Sequence, residues 1–390
     1  METVPQGVVL FEEVQKKQGE AKTPTDAPAA ASFTAARPSS KCPKLLIPQA
    51  VAHRGFKAQQ AENTMAAFCA AARAGAHAIE TDVRLSRDGI AVLSHDASLR
   101  RCFGVQGEVA ARDWAQLARL RTVRDARQGM PRLRDLLAWL AGRPSDGGAE
   151  AGEGDEVDDE VRERLWVLLD IKMDDDAQTL VDAIATAIAQ VPPSSVPWEQ
   201  RIVLGCWNAS TVRAARTSLP TYPLSHIGVS LSYASHFVAP PASLPAFNLA
   251  YPPLLLRGTS LLNKLRAARR AVFLWTLNDQ TSMTWALALN TLSSLPDDAD
   301  ASQKGARVDA VISDDPALFL DVCAKFESRL ASNPSASLHH PPLTTRASIR
   351  RTLGLVLIQL LMTLIFLYRR FWLYRLDYMN EATPSRHLKK

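Results

Sequence analysis

The residues best suited to chemistry lie between positions 53 and 96. Two histidines, His53 and His95, bracket this stretch, and two carboxylates one residue apart, Glu80 and Asp82, lie between them. Side chains alternate between the two faces of a β-strand, so Glu80 and Asp82 are predicted to point the same way. Two carboxylates on one face repel each other unless a positive charge separates them, and a hard divalent cation meets that need. Two imidazoles beside such a cation form an acid–base set suited to cutting a phosphate ester.

Five short motifs in this stretch resemble the pattern of the glycerophosphodiester phosphodiesterase family. In order they are His53-Arg54-Gly55, Glu62-Asn63-Thr64, Glu80-Thr81-Asp82, Asp88-Gly89 and His95-Asp96. Each motif alone is weak evidence, but five in the right order within 46 residues are a specific signal. Two later segments, FLWTLND and VDAVISDDP, extend the resemblance over about residues 48 to 325. The resemblance implies an enzyme, a metal-dependent phosphoric diester hydrolase.

The resemblance also implies a ligand set for the metal. Asp170, in the run LLDIK, would complete the metal site with Glu80 and Asp82. Most family members have glutamate there, and the shorter aspartate can shift the cation or recruit another water. Ligation by oxygen alone favours one divalent cation, Mg²⁺ or Ca²⁺, over zinc. Arg54 and Lys172 are then expected to neutralise phosphate oxygens of the substrate.

The remaining site residues are assigned roles around this metal. His53 and His95 are expected to exchange the roles of general base and general acid. By family analogy the attacking group is the neighbouring glycerol hydroxyl, and water then opens the cyclic phosphate. Glu62 is expected to orient the metal ligands or to touch the metal. Trp275 is predicted to form a flat apolar wall beside the phosphate, whereas Trp207 either does the same or packs in the core.

Other polar residues are interpreted as structural. The run Asp314-Asp315-Pro316 suits a helix start, with proline at the first helical position after an acidic cap. His77, His226 and His236 have no motif around them and are not expected to be catalytic. The five cysteines are scattered without metal-ligand spacing, which predicts reduced thiols in a protein that faces the cytosol.

Eight apolar runs are predicted to form the strands that position these side chains. They lie at His53, Glu80, Asp170, Trp207, Val229, Tyr251, Trp275 and Ser313. The helix after the first run has Asn63 or Thr64 as its N-cap and Gly75 as its stop. Eight β/α units within about 280 residues predict an α/β fold, a TIM (β/α)8 barrel with its active site at the carboxyl ends of the strands. A doubly wound open sheet is the alternative, but no Gly-rich phosphate loop follows the first strand.

Composition divides the chain into a barrel and flanking segments. The predicted parts are a disordered N-terminal segment (1–44), the barrel (45–330), a linker (331–350), a hydrophobic membrane segment (351–376) and a basic tail (377–390). A Gly-rich acidic run, 142–164, is predicted to be a solvated, mobile insertion within the barrel.

The C-terminal segment is predicted to bind a membrane as an anchoring helix. Residues 353–368 carry no charge, but sixteen residues of helix span only about 24 Å of the roughly 30 Å hydrocarbon core. A tail anchor or an insertion into one leaflet therefore fits better than a full span. Residues 346–390 carry a net charge of +7 and the first 345 residues −2. This distribution favours a membrane surface over nucleic acid as partner, and no obligatory protein partner is evident.

Three details resemble the fungal phosphatidylglycerol phospholipase C branch of the family. They are the HRGFKA opening, the aspartate in LLDIK and the segment IGVSLSYASHFV. The resemblance implies a phospholipid substrate, phosphatidylglycerol, split into diacylglycerol and glycerol 3-phosphate. The alternatives are hydrolysis of water-soluble glycerophosphodiesters or lysophospholipids, a related phospholipase D–type barrel acting on choline lipids, and a non-catalytic lipid-binding protein. We expect a membrane-associated protein whose barrel faces the cytosol, at the endoplasmic reticulum, a lipid droplet or the mitochondrial surface.

Overall fold

Eight parallel strands close into a barrel in the computed structural model, which describes residues 30–43, 45–144, 156–240, 242–293 and 307–332 and the isolated positions 357, 360 and 364. The strands are β1 (Arg37–Pro38), β2 (Leu46–Ile47), β3 (Gln49–His53), β4 (Ala78–Leu85), β5 (Ala91–Leu93), β6 (Trp166–Ile171), β7 (Ile202–Cys206), β8 (Leu224–Gly228), β9 (Ala246–Ala250), β10 (Ala271–Trp275) and β11 (Ala310–Ser313). The barrel consists of β3, β4 and β6 to β11, and the pairing of β3 with β4 closes it. The predicted TIM barrel is therefore confirmed, and the open sheet is wrong.

Helices connect the barrel strands and cover their outer face. They are α1 (Met65–Arg73), α2 (Arg100–Phe103), α3 (Trp114–Leu117), α4 (Leu133–Leu140), α5 (Asp159–Arg164), α6 (Ala177–Gln190), α7 (Ala209–Ser218), α8 (Leu231–Ser235), α9 (Tyr251–Arg257), α10 (Thr259–Ala267), α11 (Gln280–Ser293) and α12 (Pro316–Ser332). Thr64 is the N-cap of α1, since its hydroxyl accepts from the Ala67 N–H at 3.3 Å. Gly75 follows the helix with a φ of +82°, as predicted for its stop.

The interior of the barrel is apolar towards the amino ends of the strands and acidic at their carboxyl ends. Strand β6 shows the pattern, because Trp166 and Leu168 pack in the interior while Val167 and Leu169 pack against the outer helices. The same alternation brings Asp170 to the inner face, one layer above Leu168. Parallel strands are buried on both faces, which explains the nearly continuous apolar runs in the sequence. The carboxyl ends of the strands are therefore where interior side chains become polar.

Residues 30–43 differ from the prediction of a disordered segment over 1–44. The Phe33 ring packs edge-on against Trp166 at the amino end of the barrel, with centroids 5.9 Å apart. The side-chain amide of Gln49 donates to the Phe33 carbonyl at 2.7 Å. The Pro, Ala and Ser composition of this segment is typical of disorder, but the barrel supplies an apolar surface on which it orders.

The mobile insertion was predicted over residues 142–164, and the end of this range is also ordered. Residues 159–164 form α5, and the buried guanidinium of Arg201 donates to the carbonyls of Arg162 and Leu165. A buried guanidinium needs acceptors, so these contacts fix the backbone of this short stretch. The prediction of a mobile insertion is therefore wrong for these residues, and 145–155 lie outside the described residues.

The predicted C-terminal segments lie largely outside the described residues. Of residues 333–390, the structure describes only the isolated leucines at 357, 360 and 364. This range includes most of the predicted linker, the hydrophobic membrane segment and the basic tail. Those three leucine side chains are exposed. In the described part of the chain, no helix combines the length and the apolarity needed to cross a membrane.

The packing of Phe33 predicts a measurable loss of stability when its ring is removed. Phe33→Ala should lower the free energy of unfolding by about 1–2 kcal/mol, because the ring is half-buried against Trp166. Urea unfolding monitored by circular dichroism measures this change. The neighbouring Ser32→Ala alters an exposed side chain and should leave the midpoint unchanged. Equal midpoints for both variants and the unaltered protein would show that this segment contributes nothing to the fold.

Candidate active site

The register of three neighbouring strands brings the predicted metal ligands together. His53 of β3 lies beside Glu80 of β4, and Asp82 of β4 lies beside Asp170 of β6. Glu80, Asp82 and Asp170 are all buried, and one oxygen from each lies within 4.8 Å of the others. The predicted common face of Glu80 and Asp82 is confirmed, and Asp170 joins them as the resemblance implied.

The His-Arg-Gly turn at the end of β3 explains why glycine follows Arg54. Arg54 and Gly55 both have positive φ, +59° and +79°. A Cβ on Gly55 would lie 2.7 Å from backbone and side-chain atoms of Ala67, so only glycine lets α1 pack this closely. The turn directs the Arg54 N–H to the Glu80 carboxylate at 2.9 Å, which fixes that ligand.

The acidic cluster is electrostatically unbalanced. Burial, together with the charges of Asp82 and Asp170, raises the pKa of Glu80 well above its ordinary value. Burial alone would also raise the pKa of Asp82, but Lys172 and Arg54 outweigh it and hold that pKa far below its usual range. Two positive side chains therefore do not fully compensate three buried carboxylates.

These residues fit a divalent cation. Three carboxylates that offer oxygens within 4.8 Å of one another are the ligand type and number that a hard cation needs from protein. A divalent charge there would favour the ionised form of Glu80, which burial and its neighbours otherwise oppose. The surrounding groups orient the ligands, since Asn63 Nδ2 donates to Asp82 at 2.8 Å and Trp207 Nε1 donates to Asp170 at 2.6 Å.

Lys172 and Arg54 lie against the acidic cluster. Lys172 Nζ is 2.6 Å from Asp82 Oδ1 and 2.7 Å from Asp170 Oδ2, and the side chain is buried. Arg54 Nε is 3.3 Å from Asp82 Oδ2. Both side chains line the same cleft as the carboxylates, and their place beside a substrate phosphate stays a prediction.

Glu62 is linked to the acidic cluster through Arg54. It accepts from Arg54 Nη1 at 2.8 Å and from Arg101 Nη2 at 2.7 Å, and it is absent from the lining of the cleft. Although burial opposes it, Arg101 and Arg54 lower the pKa of Glu62 to about 2. Glu62 therefore orients Arg54 and does not itself reach the acidic cluster. Its double ion pair explains why the motif contains an acid.

His53 contacts Asp314, a residue that was predicted to be structural at the start of a helix. Its Nδ1 lies 2.5 Å from Asp314 Oδ1, and its Nε2 lies 4.0 Å from Glu80 Oε2. Burial lowers the pKa of His53, and the hydrogen bond to Asp314 acts in the opposite direction. The structural interpretation of Asp314 is therefore wrong, whereas Asp315 does cap α12 by accepting from the Leu318 N–H at 2.8 Å.

His95 has an equivalent arrangement on the other side. Its Nδ1 lies 2.7 Å from Asp96 Oδ1, and its carbonyl accepts from Arg84 at 2.7 and 2.9 Å. Burial lowers the pKa of His95, while the nearby charge of Asp82 raises it. With Nδ1 of His53 and of His95 donating to a carboxylate, Nε2 of each neutral imidazole carries the lone pair. The His-Asp motif thus supplies both the imidazole and the group that orients it.

Two tryptophans and an asparagine complete the cleft, which has a volume of about 110 Å³. Trp207 and Trp275 meet edge to face with centroids 5.7 Å apart, so both of them form the wall. Asn248 Oδ1 is buried and has no hydrogen-bond partner among the described residues, although its side chain lines the cleft. Sequence reasoning missed Asn248, whose signal was a lone polar residue inside the apolar run FNLAY.

A larger cavity of about 320 Å³ lies at the opposite end of the barrel. It is bordered by Ala31, Leu224 and Pro245, at the amino ends of β8 and β9, and none of the predicted site residues reaches it. The smaller cleft is the candidate active site because the charged groups and both imidazoles converge there.

The histidines without a motif lie elsewhere. His77 Nδ1 accepts from the Ala50 N–H at 2.8 Å, and His226 stacks on Phe237 with ring centroids 4.4 Å apart. His236 is exposed. None of the three lines the cleft, so among the histidines that the structure describes His53 and His95 are the ones that border it.

The comparisons with known proteins agree with this geometry. The sequence model of the glycerophosphoryl diester phosphodiesterase family matches residues 53–318. A Mycobacterium tuberculosis protein named probable glycerophosphodiester phosphodiesterase 2 is 44% identical over 92 residues, which are 23% of this chain and 34% of that protein. A rat protein named lysophospholipase D GDPD1 is 39% identical over 67 residues, 17% of this chain and 21% of that protein. The chain thus spans about a third or less of the length of these relatives.

A solved structure shares the fold. It is an Oleispira antarctica phosphodiesterase in complex with the product sn-glycerol-3-phosphate. The TM-score is 0.53 at 20% sequence identity, with 71% of this chain and 97% of that chain covered. At this identity the likeness concerns the barrel architecture.

The pairing of His53 with Asp314 predicts how a single substitution changes the imidazole. Asp314→Asn should lower the pKa of His53 further, because the carboxylate that favours the imidazolium is lost. An NMR titration of the ring protons of His53 measures this pKa. Asp315→Asn is the matched control: it should leave this pKa unchanged, and its side-chain oxygen can still accept from the Leu318 N–H at the start of the helix. An unchanged pKa in Asp314→Asn would contradict the pairing.

The burial of His226 predicts a loss of stability in acid. Burial lowers the pKa of His226 to about 3, whereas the unfolded chain takes up its proton near the ordinary value of 6.5. Stability is therefore lost as the pH falls below about 6.5, by roughly 2–3 kcal/mol at pH 4.5. His226→Phe should reduce the difference between urea midpoints at neutral and acid pH, and the exposed His236→Phe should not. Identical pH dependence in all three proteins would refute this account.

Proposed function

Because the chain belongs to the glycerophosphoryl diester phosphodiesterase family, we propose that it is a metal-dependent hydrolase of phosphoric diesters that carry a glycerol headgroup. One observation carries the proposal: two imidazoles, each oriented by a carboxylate, share a cleft with three acidic side chains that fit a cation. A scaffold that only binds lipid would not need the buried and mutually repelling carboxylates.

The protein groups divide the work of the reaction. A divalent cation held by Glu80, Asp82 and Asp170 would supply Lewis-acid stabilisation of a phosphate oxygen. Lys172 and Arg54 add positive charge beside the phosphate and stabilise charge that develops in the transition state. Oxygen ligation favours Mg²⁺ or Ca²⁺ for this site.

The two histidines move the protons. The Nε2 of one imidazole takes the proton of the attacking hydroxyl, and the other imidazole, in its protonated form, gives a proton to the departing alcohol. Asp314 and Asp96 stabilise the positive charge on His53 and His95 in turn. The proposed attacking group is the glycerol hydroxyl next to the phosphate, so that the phosphorus–oxygen bond to the alcohol breaks and a cyclic phosphate forms. Water then opens this ring, with the roles of the histidines reversed.

Water-soluble glycerophosphodiesters and lysophospholipids are the proposed substrates. The names of the Mycobacterium and rat relatives support this class. The cleft is small, and the unpaired Asn248 amide within it can accept a hydrogen bond from a headgroup hydroxyl. The products are an alcohol together with glycerol 3-phosphate from a glycerophosphodiester, or with lysophosphatidic acid from a lysophospholipid.

Phosphatidylglycerol is the second candidate, cleaved in phospholipase C fashion to diacylglycerol. Aspartate at position 170, together with the HRGFKA and IGVSLSYASHFV segments, favours it. With this candidate we propose membrane association through residues 351–376 and a barrel that faces the cytosol at the endoplasmic reticulum, a lipid droplet or the mitochondrial surface.

Product analysis tests the function. The purified chain should release glycerol 3-phosphate from glycerophosphocholine, and a chelator should abolish the reaction until Mg²⁺ or Ca²⁺ is restored. His95→Ala should lower kcat by about a thousandfold, since it removes a general acid–base group, while His236→Ala should leave kcat unchanged. Release of diacylglycerol from phosphatidylglycerol vesicles would select the second candidate.

The proposal fails if the chelator has no effect or if His95→Ala retains normal turnover. Mass spectrometry of early time points adds a check on the mechanism, because it should detect the cyclic phosphate before glycerol 3-phosphate accumulates.

A further inference from the structure

A strongly basic excursion leaves the barrel between β5 and α4. Residues 98–134 contain nine arginines and three acidic residues, although the first 345 residues together carry a net charge of −2. The excursion includes the short helices α2 and α3 and the loop that follows them. Its charge is thus opposite to that of the barrel around it.

Some of these arginines are neutralised and others are not. Arg101 pairs with Asp96 and Glu62, and the buried Arg132 pairs with Asp135. Four more form no ion pair with any carboxylate in the described part of the chain, and all four are exposed: Arg100, Arg119, Arg121 and Arg124. Arg121 and Arg124 donate to backbone carbonyls, which fixes their guanidinium groups without cancelling the charge.

These arginines lie beside the mouth of the barrel. Arg124 donates to the carbonyls of residues 57, 58 and 60, in the loop that follows β3. The Val123 N–H donates to the carbonyl of Cys102 at 2.9 Å, which joins this loop to α2. Arg101 of α2 contacts Asp96, the residue that orients His95. The excursion therefore borders the rim through which a substrate reaches both histidines.

One apolar side chain projects from the same surface. Val123 is 66% exposed, more than any other large apolar side chain described between residues 30 and 332. It lies in sequence between Arg121 and Arg124. Arginines that flank an exposed apolar residue match the interface of a bilayer, where phosphates meet acyl chains. A nucleic-acid duplex would offer phosphates but no acyl chains into which the valine could insert.

We propose that the arginine surface, formed by Arg100, Arg119, Arg121, Val123 and Arg124, docks on an anionic phospholipid bilayer and turns the mouth of the barrel towards the lipid headgroups. The role in presenting substrate rests on the proposed function, whereas the docking itself does not. Each arginine near an anionic leaflet strengthens binding by about fivefold, so the surface can hold the barrel by charge with Val123 inserted at shallow depth.

Hydrogen exchange on the full chain tests the docking independently of catalysis. The probes are vesicles of phosphatidylcholine alone and vesicles of equal parts phosphatidylcholine and phosphatidylserine, because neither lipid has a glycerol headgroup. Peptides within residues 98–127 should exchange more slowly with the anionic vesicles only. High salt should remove this protection, since screening shortens the reach of the arginine charges. Reading the protection by peptide separates this surface from any binding by the C-terminal segment.

A charge-reversal variant and a matched control sharpen the test. Arg100→Glu, Arg119→Glu and Arg121→Glu together should lower affinity through this surface by roughly a hundredfold and abolish the protection. The control reverses three exposed charges near the opposite end of the barrel, Lys264→Glu, Arg269→Glu and Arg329→Glu, and should retain it. Both variants should hydrolyse glycerophosphocholine at the unaltered rate, because none of the six residues lines the cleft.

The outcomes are distinguishable. Absence of protection with anionic vesicles, or equal protection in both variants, overturns the docking proposal. Protection of the same peptides by a duplex RNA but not by vesicles also overturns it, in favour of a nucleic-acid partner. If no phosphodiester is cleaved but the protection appears as described, the proposed function fails and the docking surface stands.

Discussion

Three buried carboxylates at the carboxyl end of the barrel interior are the constraint on which the site depends. Glu80, Asp82 and Asp170 repel one another in a place where water cannot screen them, and the raised pKa of Glu80 is the sign of that conflict. Lys172 and Arg54 relieve it only in part. A cluster that remains acidic after its own counter-charges are in place is a site prepared for a cation.

The surrounding fold holds this cluster in place and directs both imidazoles towards the same cleft. Apolar layers fill the barrel below the carboxylates, so the acidic side chains extend only towards the mouth. Hydrogen bonds from Asn63 and Trp207 fix two of the three carboxylates, and the Arg54 N–H fixes the third. Ordering on this scale reduces the reorganisation needed during the reaction, which is where much of the rate enhancement of a hydrolase originates.

The two ends of the barrel serve different purposes. At the amino end, Phe33 covers the interior against Trp166, which contributes to stability. At the carboxyl end, the end of β3 carries His53, and the loops carry His95, the carboxylate partners of both imidazoles and the arginine surface. Arg101 connects these parts, because it contacts both Glu62, which orients Arg54, and Asp96, which orients His95. The candidate active site and the arginine surface thus share one rim.

The sequence by itself determined everything that depends on local period and order. The alternation of Glu80 and Asp82 placed them on one face, eight apolar runs implied eight strands, and the ordered motifs located both histidines. Only the tertiary structure decided the contacts between distant positions. His53 and Asp314 are 261 residues apart, and Trp207 reaches Asp170 from the next strand. Local patterns record which face a side chain occupies, whereas closure of the barrel decides which side chains meet across it, and Asp314 could therefore be mistaken for a helix cap.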